Sequence, residues 1–259
     1  TLLRYGVSLG VLGWIASQVE WRQFGGLRGL DWPLAFAAAA VAGLAYPLQA
    51  WRWHRLLGAL QIALPARVVH AVFWVGNLYN SFLPGGVAGD GVRVYRLWPA
   101  VPAQRAALIA SVIADRLLGF GALLALAVVA LGAHLLAHGG GAELEFLLAA
   151  SLGALGLLAA AMLWFTHTRA WAGLAGRVLG AEQTEALLKA ATTLRADGGT
   201  LLVAAAASVG VWLLDFLSLW LLASAAGLTV DPLVMSVAAA AAYVAATLPL
   251  SIGGHGVRE

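Results

Sequence analysis

The chain has no cysteine and very little charge. Its 259 residues include 15 Lys+Arg and 12 Asp+Glu, so 10% are charged, where soluble domains carry about 25%. The missing cysteines remove disulfides, thiolate nucleophiles and thiolate metal sites, and leave the redox compartment unread. A net charge of +3 gives no basic face for a nucleic acid, and the sequence pI of about 9.7 comes from a few arginines on a chain with little charge of any kind. Short alternating segments, the mark of a membrane β-barrel, are absent. What is present is 62% hydrophobic residues and a mean hydropathy of +0.87. That excludes intrinsic disorder and a charged coiled coil, and predicts a polytopic helical membrane protein.

A helix needs about 20 apolar residues to cross a bilayer. Runs of that kind predict spans at 2–19, 32–53, 106–136, 144–166 and 200–226. The first is read as a span, because no small-x-small cleavage pattern precedes Glu20 and four full spans follow. Two shorter apolar stretches, 68–83 and 233–250, each run into proline and glycine.

Lys and Arg are unevenly placed, and positive loops stay in the cytoplasm. Arg52, Arg55 and Arg67 follow the second span, Arg93, Arg96 and Arg105 follow 68–83, and Arg169, Arg177, Lys189 and Arg195 lie between 166 and 200. Connections 137–143 and 227–231 have none. A full crossing by 68–83 would put two positive clusters on opposite sides. A re-entrant hairpin turning at Pro84-Gly85-Gly86 removes the conflict, its irregular backbone buried in protein; a short full span is the alternative. Between 170 and 196, Trp171, Leu174, Val178, Leu187, Leu188 and Leu194 recur at helical spacing among charges. This predicts surface amphipathic helices, with a plain loop as the alternative.

The most specific signal is a repeat. LPGGVAGDGVR at 83–93 returns as LPLSIGGHGVR at 248–258, with Leu83/Leu248, Pro84/Pro249, Gly89/Gly254, Gly91/Gly256, Val92/Val257 and Arg93/Arg258 identical. Proline breaks a helix and glycine permits unusual dihedrals, so each copy reads as a broken membrane segment. Gly85, Gly86, Gly89, Gly91, Gly253, Gly254 and Gly256 with both prolines form the expected turns. Freed N–H groups beside an arginine suit a phosphate or carboxylate. Three full spans separate the copies, so the second is inverted relative to the first, as in transporters with a site at the repeat interface. Repeat halves of about 32–136 (re-entrant 68–92) and 200–259 (re-entrant 233–259) are expected in one domain, 1–259, joined by a cytoplasmic connector at 167–199.

NSFLPGGVAGDGVRVYRL (80–97), ADRLLGFGALLAL (114–126) and LPLSIGGHGVRE (248–259) resemble the lysylphosphatidylglycerol synthase transmembrane-region family over essentially the whole chain. That resemblance implies lipid translocation, as in the flippase half of multiple-peptide-resistance proteins. It does not imply lysyl transfer, because the soluble aminoacyl-transferring domain of the bifunctional members has no counterpart here. It also implies a further span beyond Arg258-Glu259, so the chain is expected to be trimmed there, and the absence of an initial methionine at Thr1 suggests the same of the other end.

Ionisable residues inside apolar spans are expensive and are functional candidates. Asp115 and Arg116 lie about ten residues into a span, Asp215 near the centre of another, and with Asp90, Arg93, Arg258 and Glu259 they are expected to form one buried network. It either lines a lipid-headgroup cavity or locks the repeats together. Asn77, Asn80, Ser81 and Ser251 are candidates for headgroup hydroxyls, Asn77, Asn80 and Ser81 equally for capping the hairpin, and His255 is a candidate titrating group. Trp14, Trp21, Trp32, Trp51, Trp53, Trp98, Trp164 and Trp171 read as an interfacial belt. His255 and Glu259 alone make a poor metal site. No Walker or Rossmann fingerprint, cofactor motif or catalytic motif is found. The expected protein is an all-α polytopic membrane protein with about five full spans and two re-entrant hairpins. Its expected activity is moving an anionic, aminoacyl or polyprenyl-phosphate lipid across the inner membrane of a bacterium, with the N-terminus cytoplasmic. An integral-membrane transferase using a lipid-phosphate donor and a lipid-binding assembly subunit are the alternatives, with a homo-oligomer or separate transferase as partner.

Overall fold

In the computed structural model, residues 29–82, 88–167 and 180–247 are described. They contain eight α-helices and no strand: α1 (Trp32–Ala59), α2 (Ala66–Phe82), α3 (Ala88–Leu97), α4 (Arg105–His138), α5 (Ala142–His167), α6 (Ala181–Ala196), α7 (Gly198–Ala225) and α8 (Pro232–Thr247). The expected spans 32–53, 106–136, 144–166 and 200–226 correspond to α1, α4, α5 and α7, each long and apolar enough to cross a bilayer. The expected span 2–19 lies outside the described residues.

The scaffold is the antiparallel pair α1 and α7. Asp31 caps α1 by accepting from Leu34 N–H at 3.1 Å, with Pro33 in the first turn. From there the pair stays in register. Asp31 N–H donates to the Ala225 carbonyl at 2.9 Å, Ser218 Oγ to the Ala38 carbonyl at 2.9 Å, and Arg52 Nη1 to Ser208 Oγ at 2.7 Å. The residue numbers of each pair sum to nearly the same value, as in an antiparallel contact. α4 runs parallel to α7 and starts where α1 ends, Gln104 Nε2 donating to the Gln61 carbonyl at 2.9 Å. α5 packs on α4 and turns an apolar face outward, with Phe146 and Leu157 more than 70% exposed. Exposed leucine and phenylalanine at that density on a helix of this length suit lipid.

Two core clusters divide the bundle. One, at the end holding the α1–α2 and α3–α4 connections, joins Trp53, Leu56 and Leu57 of α1 to Phe73, Leu97 and Leu108, and is closed below by Ala190 and Leu194 of α6. The other, farther along, packs Leu123 and Ala127 of α4 with Phe216 of α7 and Ala239 and Ala240 of α8. α6 is the amphipathic helix expected in the connector, its Thr184, Ala190 and Leu194 face turned inward.

Charge follows the same division. Arg55, Arg67, Arg96, Arg105, Lys189 and Arg195 gather at the α6 end. Among the described residues the opposite end has Asp31, Glu143, Glu145 and Asp231 and no Lys or Arg. At the α6 end Asp197 caps α7, accepting from Thr200 N–H at 2.9 Å. That donor, followed by the Thr200 side chain, holds the Asp197 carboxyl below the usual carboxylate range. A depressed folded value means that the cap acts above the unfolded value of about 3.9 and fades as the pH falls through it. Asp197→Ala is therefore expected to speed amide exchange in the first turn of α7 at neutral pH, by an effect that shrinks as the pH is lowered below about 4, read by hydrogen exchange with mass spectrometry.

The short stretch 68–83 is α2, and with α3 it makes an antiparallel helical hairpin. Asn80 Oδ1 accepts from Gly89 N–H at 2.7 Å, and Asn77 Oδ1 from Arg93 Nη2 at 3.3 Å. With ten residues α3 is about 15 Å long, so the chain returns toward the end it came from. α8 approaches from the opposite end and is described as far as Thr247, about 23 Å along. Near that end Tyr243 sits edge-on to Trp212 at 4.9 Å, and Trp212 Nε1 donates to the Gly119 carbonyl at 2.7 Å. Arg116, opposite the hairpin's upper part, is one turn before Gly119.

Two readings of the hairpin glycines are corrected. Gly89 and Gly91 lie inside α3 and are not turn residues. Gly89 is needed for close approach: a Cβ there would run into the Gly76 carbonyl and come within 2.7 Å of the Asn80 side chain. Gly91 faces open space. Pro84, Gly85, Gly86, Pro249, Gly253, Gly254 and Gly256 lie outside the described residues.

Candidate functional site

The site is a cluster of buried charges where the hairpin meets α1, α4 and α7. At its centre is Asp115 of α4, 4% exposed. Its Oδ1 accepts from Arg52 Nε of α1 at 2.7 Å, and its Oδ2 faces Arg93 Nη1 of α3 at 3.4 Å. Arg52 is further tied to Ser208, and its guanidinium lies against Gly119, where a Cβ would stand 3.6 Å away. Both groups are helical in phase with core residues: Arg52 with Ala45 and Leu56, Ser208 with Ala204 and Val211.

Arg93 is held differently. Its guanidinium lies 3.9 Å from the Phe73 ring centroid and 5.5 Å from that of Trp53, an aromatic bed for a delocalised cation. Its polar contacts are long: 3.4 Å to Asp115, 3.5 Å to Asp90 Oδ1 and 3.3 Å to Asn77. Its Nε is buried without a hydrogen-bond partner. The bed is itself anchored, with Trp53 Nε1 donating to Ser111 Oγ at 3.1 Å.

Asp90 bridges outward. While Oδ1 faces Arg93, Oδ2 accepts from Arg116 Nη1. The Arg116 side chain is 44% exposed, against 17% for Asp90 and 5% for Arg93. The cluster therefore grades from a closed interior, Arg52–Asp115, to an open flank, Asp90–Arg116. Counting along the helices at 1.5 Å per residue, it lies about 10–16 Å from the basic end of helices about 42 Å long.

Asp90, Arg93, Asp115 and Arg116 come together as expected, with Asp115 and its neighbour Arg116 turned to different partners. Asp215 sits half-buried on α7, just past Trp212. Asn80 closes the hairpin through Gly89 N–H, the capping alternative, and Ser81 falls in the last turn of α2. Ser251, His255, Arg258 and Glu259 lie outside the described residues.

Two assignments change. Arg52 is no loop arginine: α1 continues to Ala59 and buries it to 5% exposure. Trp53 leaves the interfacial belt for the core, fully buried beneath Arg93. Of the belt, Trp14, Trp21 and Trp171 lie outside the described residues. Ser208 and Phe73 were not singled out in the sequence. Their signal was phase alone, which marks a buried position without revealing its chemistry. Among the described residues no group of three or more metal-ligating side chains occurs.

Helices long enough to span and outward-facing apolar side chains define a polytopic integral membrane protein, built around an arginine–aspartate cluster whose Arg52–Asp115 pair is buried. The chain belongs to the lysylphosphatidylglycerol synthase TM region family, which matches residues 1–259. No curated protein and no solved structure matches it.

Proposed function

We propose that the protein moves a phosphate-bearing lipid between leaflets, binding its headgroup at the open flank of the charge cluster. The observation that carries this reading is the exposed Arg116, paired with Asp90 and backed by Arg93, on the side of an apolar bundle. A guanidinium there is costly against hydrocarbon and favourable against a phosphate in a hydrated groove. The family's association with a membrane lipid supports the same direction. On this reading α2–α3 is a re-entrant hairpin, the repeat around 248–258 supplies its inverted counterpart, and the lipid tails stay in the bilayer. The basic α6 end faces the cytoplasm of a bacterium, by the charge rule, which places the N-terminus on the same side when 2–19 spans. The protein acts as a transporter and not as an enzyme.

Arg116→Ala, reconstituted in proteoliposomes, is expected to slow translocation of a fluorescent anionic phospholipid about tenfold or more, the scale of one lost charge-assisted contact. Unchanged rates at equal incorporation would remove the headgroup site. Turnover of a labelled lipid-phosphate donor would favour a transferase, and lipid binding without movement an assembly subunit.

A further inference from the structure

Asp90 occupies the place an anionic headgroup would take. One carboxylate oxygen faces Arg93 and the other accepts from Arg116, the two-armed contact a phosphodiester makes with a pair of guanidinium groups. Among the described residues, the groups paired with Asp90 are Arg93 on its own helix and Arg116 on α4; Asp115 on α4 and the neutral Asn77 on α2 adjoin it through Arg93, and the neutral Asn80 on α2 binds the preceding Gly89 N–H. Both contacts of Arg93 to carboxylates are long, whereas Arg52 binds Asp115 and Ser208 at 2.7 Å. The Arg52–Asp115 half is therefore the fixed, closed part, whereas Asp90 is held close by Arg116 but only loosely by Arg93 and lies on the open flank, where a ligand can reach the Arg93 arm.

Resting on the headgroup site above, we propose that a phosphodiester anion enters between Arg116 and Arg93 by displacing Asp90, whose carboxylate takes up one proton from water and leaves as the neutral acid. The charges balance: one anion and one proton enter, and three arginines still face two negative groups among these contacts. Protonation follows from position. A carboxylate that has lost both guanidinium partners and stays beside the bound anion is a high-energy species, and the neutral acid is not. Each headgroup then carries a proton with it, which couples lipid movement to the proton gradient with no further cation site.

The test uses the full chain in detergent with dioctanoyl phosphatidylglycerol, whose phosphodiester stays monoanionic across the range. One proton taken up per lipid makes the wild-type Kd rise about tenfold per pH unit between about pH 6 and pH 8. Asp90→Asn is expected to flatten that dependence and to bind about tenfold or more tighter than wild type near pH 8, because the internal competitor is gone. Should the asparagine variant fail to fold, Asp90→Glu keeps the carboxylate and must keep the slope. A wild-type Kd independent of pH, or a slope that survives in Asp90→Asn, overturns the exchange while leaving the headgroup site intact. No wild-type binding at all, or undiminished binding by Arg116→Ala, removes the headgroup site itself. Glycerophosphoglycerol, the same phosphodiester without acyl chains, is expected to bind far more weakly. Equal affinity would assign the site to a soluble anion and overturn the lipid.

Discussion

Asp115→Ala is expected to lower thermal stability by about 3–5 kcal/mol, seen as a fall of about 10 °C or more in the midpoint of a size-exclusion melt. The magnitude follows from what is left behind. Among the described residues Arg52 keeps Ser208, Arg93 keeps its long contacts to Asp90 and Asn77, and two guanidinium groups remain buried without the carboxylate between them. Removing one partner of a buried ion pair is worse than removing both, because the survivor cannot regain water. The double variant Arg52→Met/Asp115→Leu is therefore expected to be more stable than Asp115→Ala alone, and the two single effects to be strongly non-additive. A midpoint within about a degree of wild type for Asp115→Ala would mean that water reaches the cluster and that its interior is not closed.

The same residue marks how far sequence reasoning reaches. Asp115 was visible because a carboxylate in the middle of LIASVIADRLLGF has no other excuse, and helical geometry alone sent it and Arg116 to separate partners. Its main partner was not visible. Arg52 stands in WRWHR, an arginine-rich run at the end of an apolar stretch, where the positive-loop rule applies with full force; only α1 running to Ala59 turns Arg52 inward while Arg55 stays out. Partner choice across the bundle depends on the rotation of α1 against α4 and α7, which periodicity leaves open. The antiparallel return of α3 along α2, though not its depth in a membrane, was legible for a related reason. A charge conflict across 68–83 is a global constraint, so it survives ignorance of local packing. Gly89 and Gly91 were read as turn residues because glycine in sequence reports freedom of the backbone and room for a neighbour with the same letter. Only the approach of Gly76 separates the two meanings.

That distinction gives the second large effect. Gly89→Ala is expected to open the hairpin and abolish most transport, whereas Gly91→Ala, two residues away in the same helix, is expected to be neutral or to stabilise α3 by about 0.5–1 kcal/mol through helix propensity. At Gly91 the new methyl meets nothing within 4 Å. At Gly89 it meets the Gly76 backbone carbonyl, which cannot rotate away, and the Asn80 amide that holds the turn closed. Relief requires α3 to move off α2. The usual penalty for overpacking, about 1–3 kcal/mol, is then a lower bound, because the Asn80–Gly89 bond is lost as well. The displacement also carries Arg93 and Asp90, four and one residues along α3, away from Asp115 and Arg116. The functional loss should therefore exceed the loss of stability. Gly76→Ala meets Arg93 Cγ at 2.8 Å and the Gly89 carbonyl at 2.9 Å, so it is expected to fall between the two. Its methyl presses on one group that can yield and one that cannot. Thermal melts and proteoliposome rates for the three variants read this order directly. If Gly89→Ala transports as well as Gly91→Ala, the contact between the helices is not what sets Arg93 in place, and the long contacts of Arg93 would have to hold the hairpin by themselves.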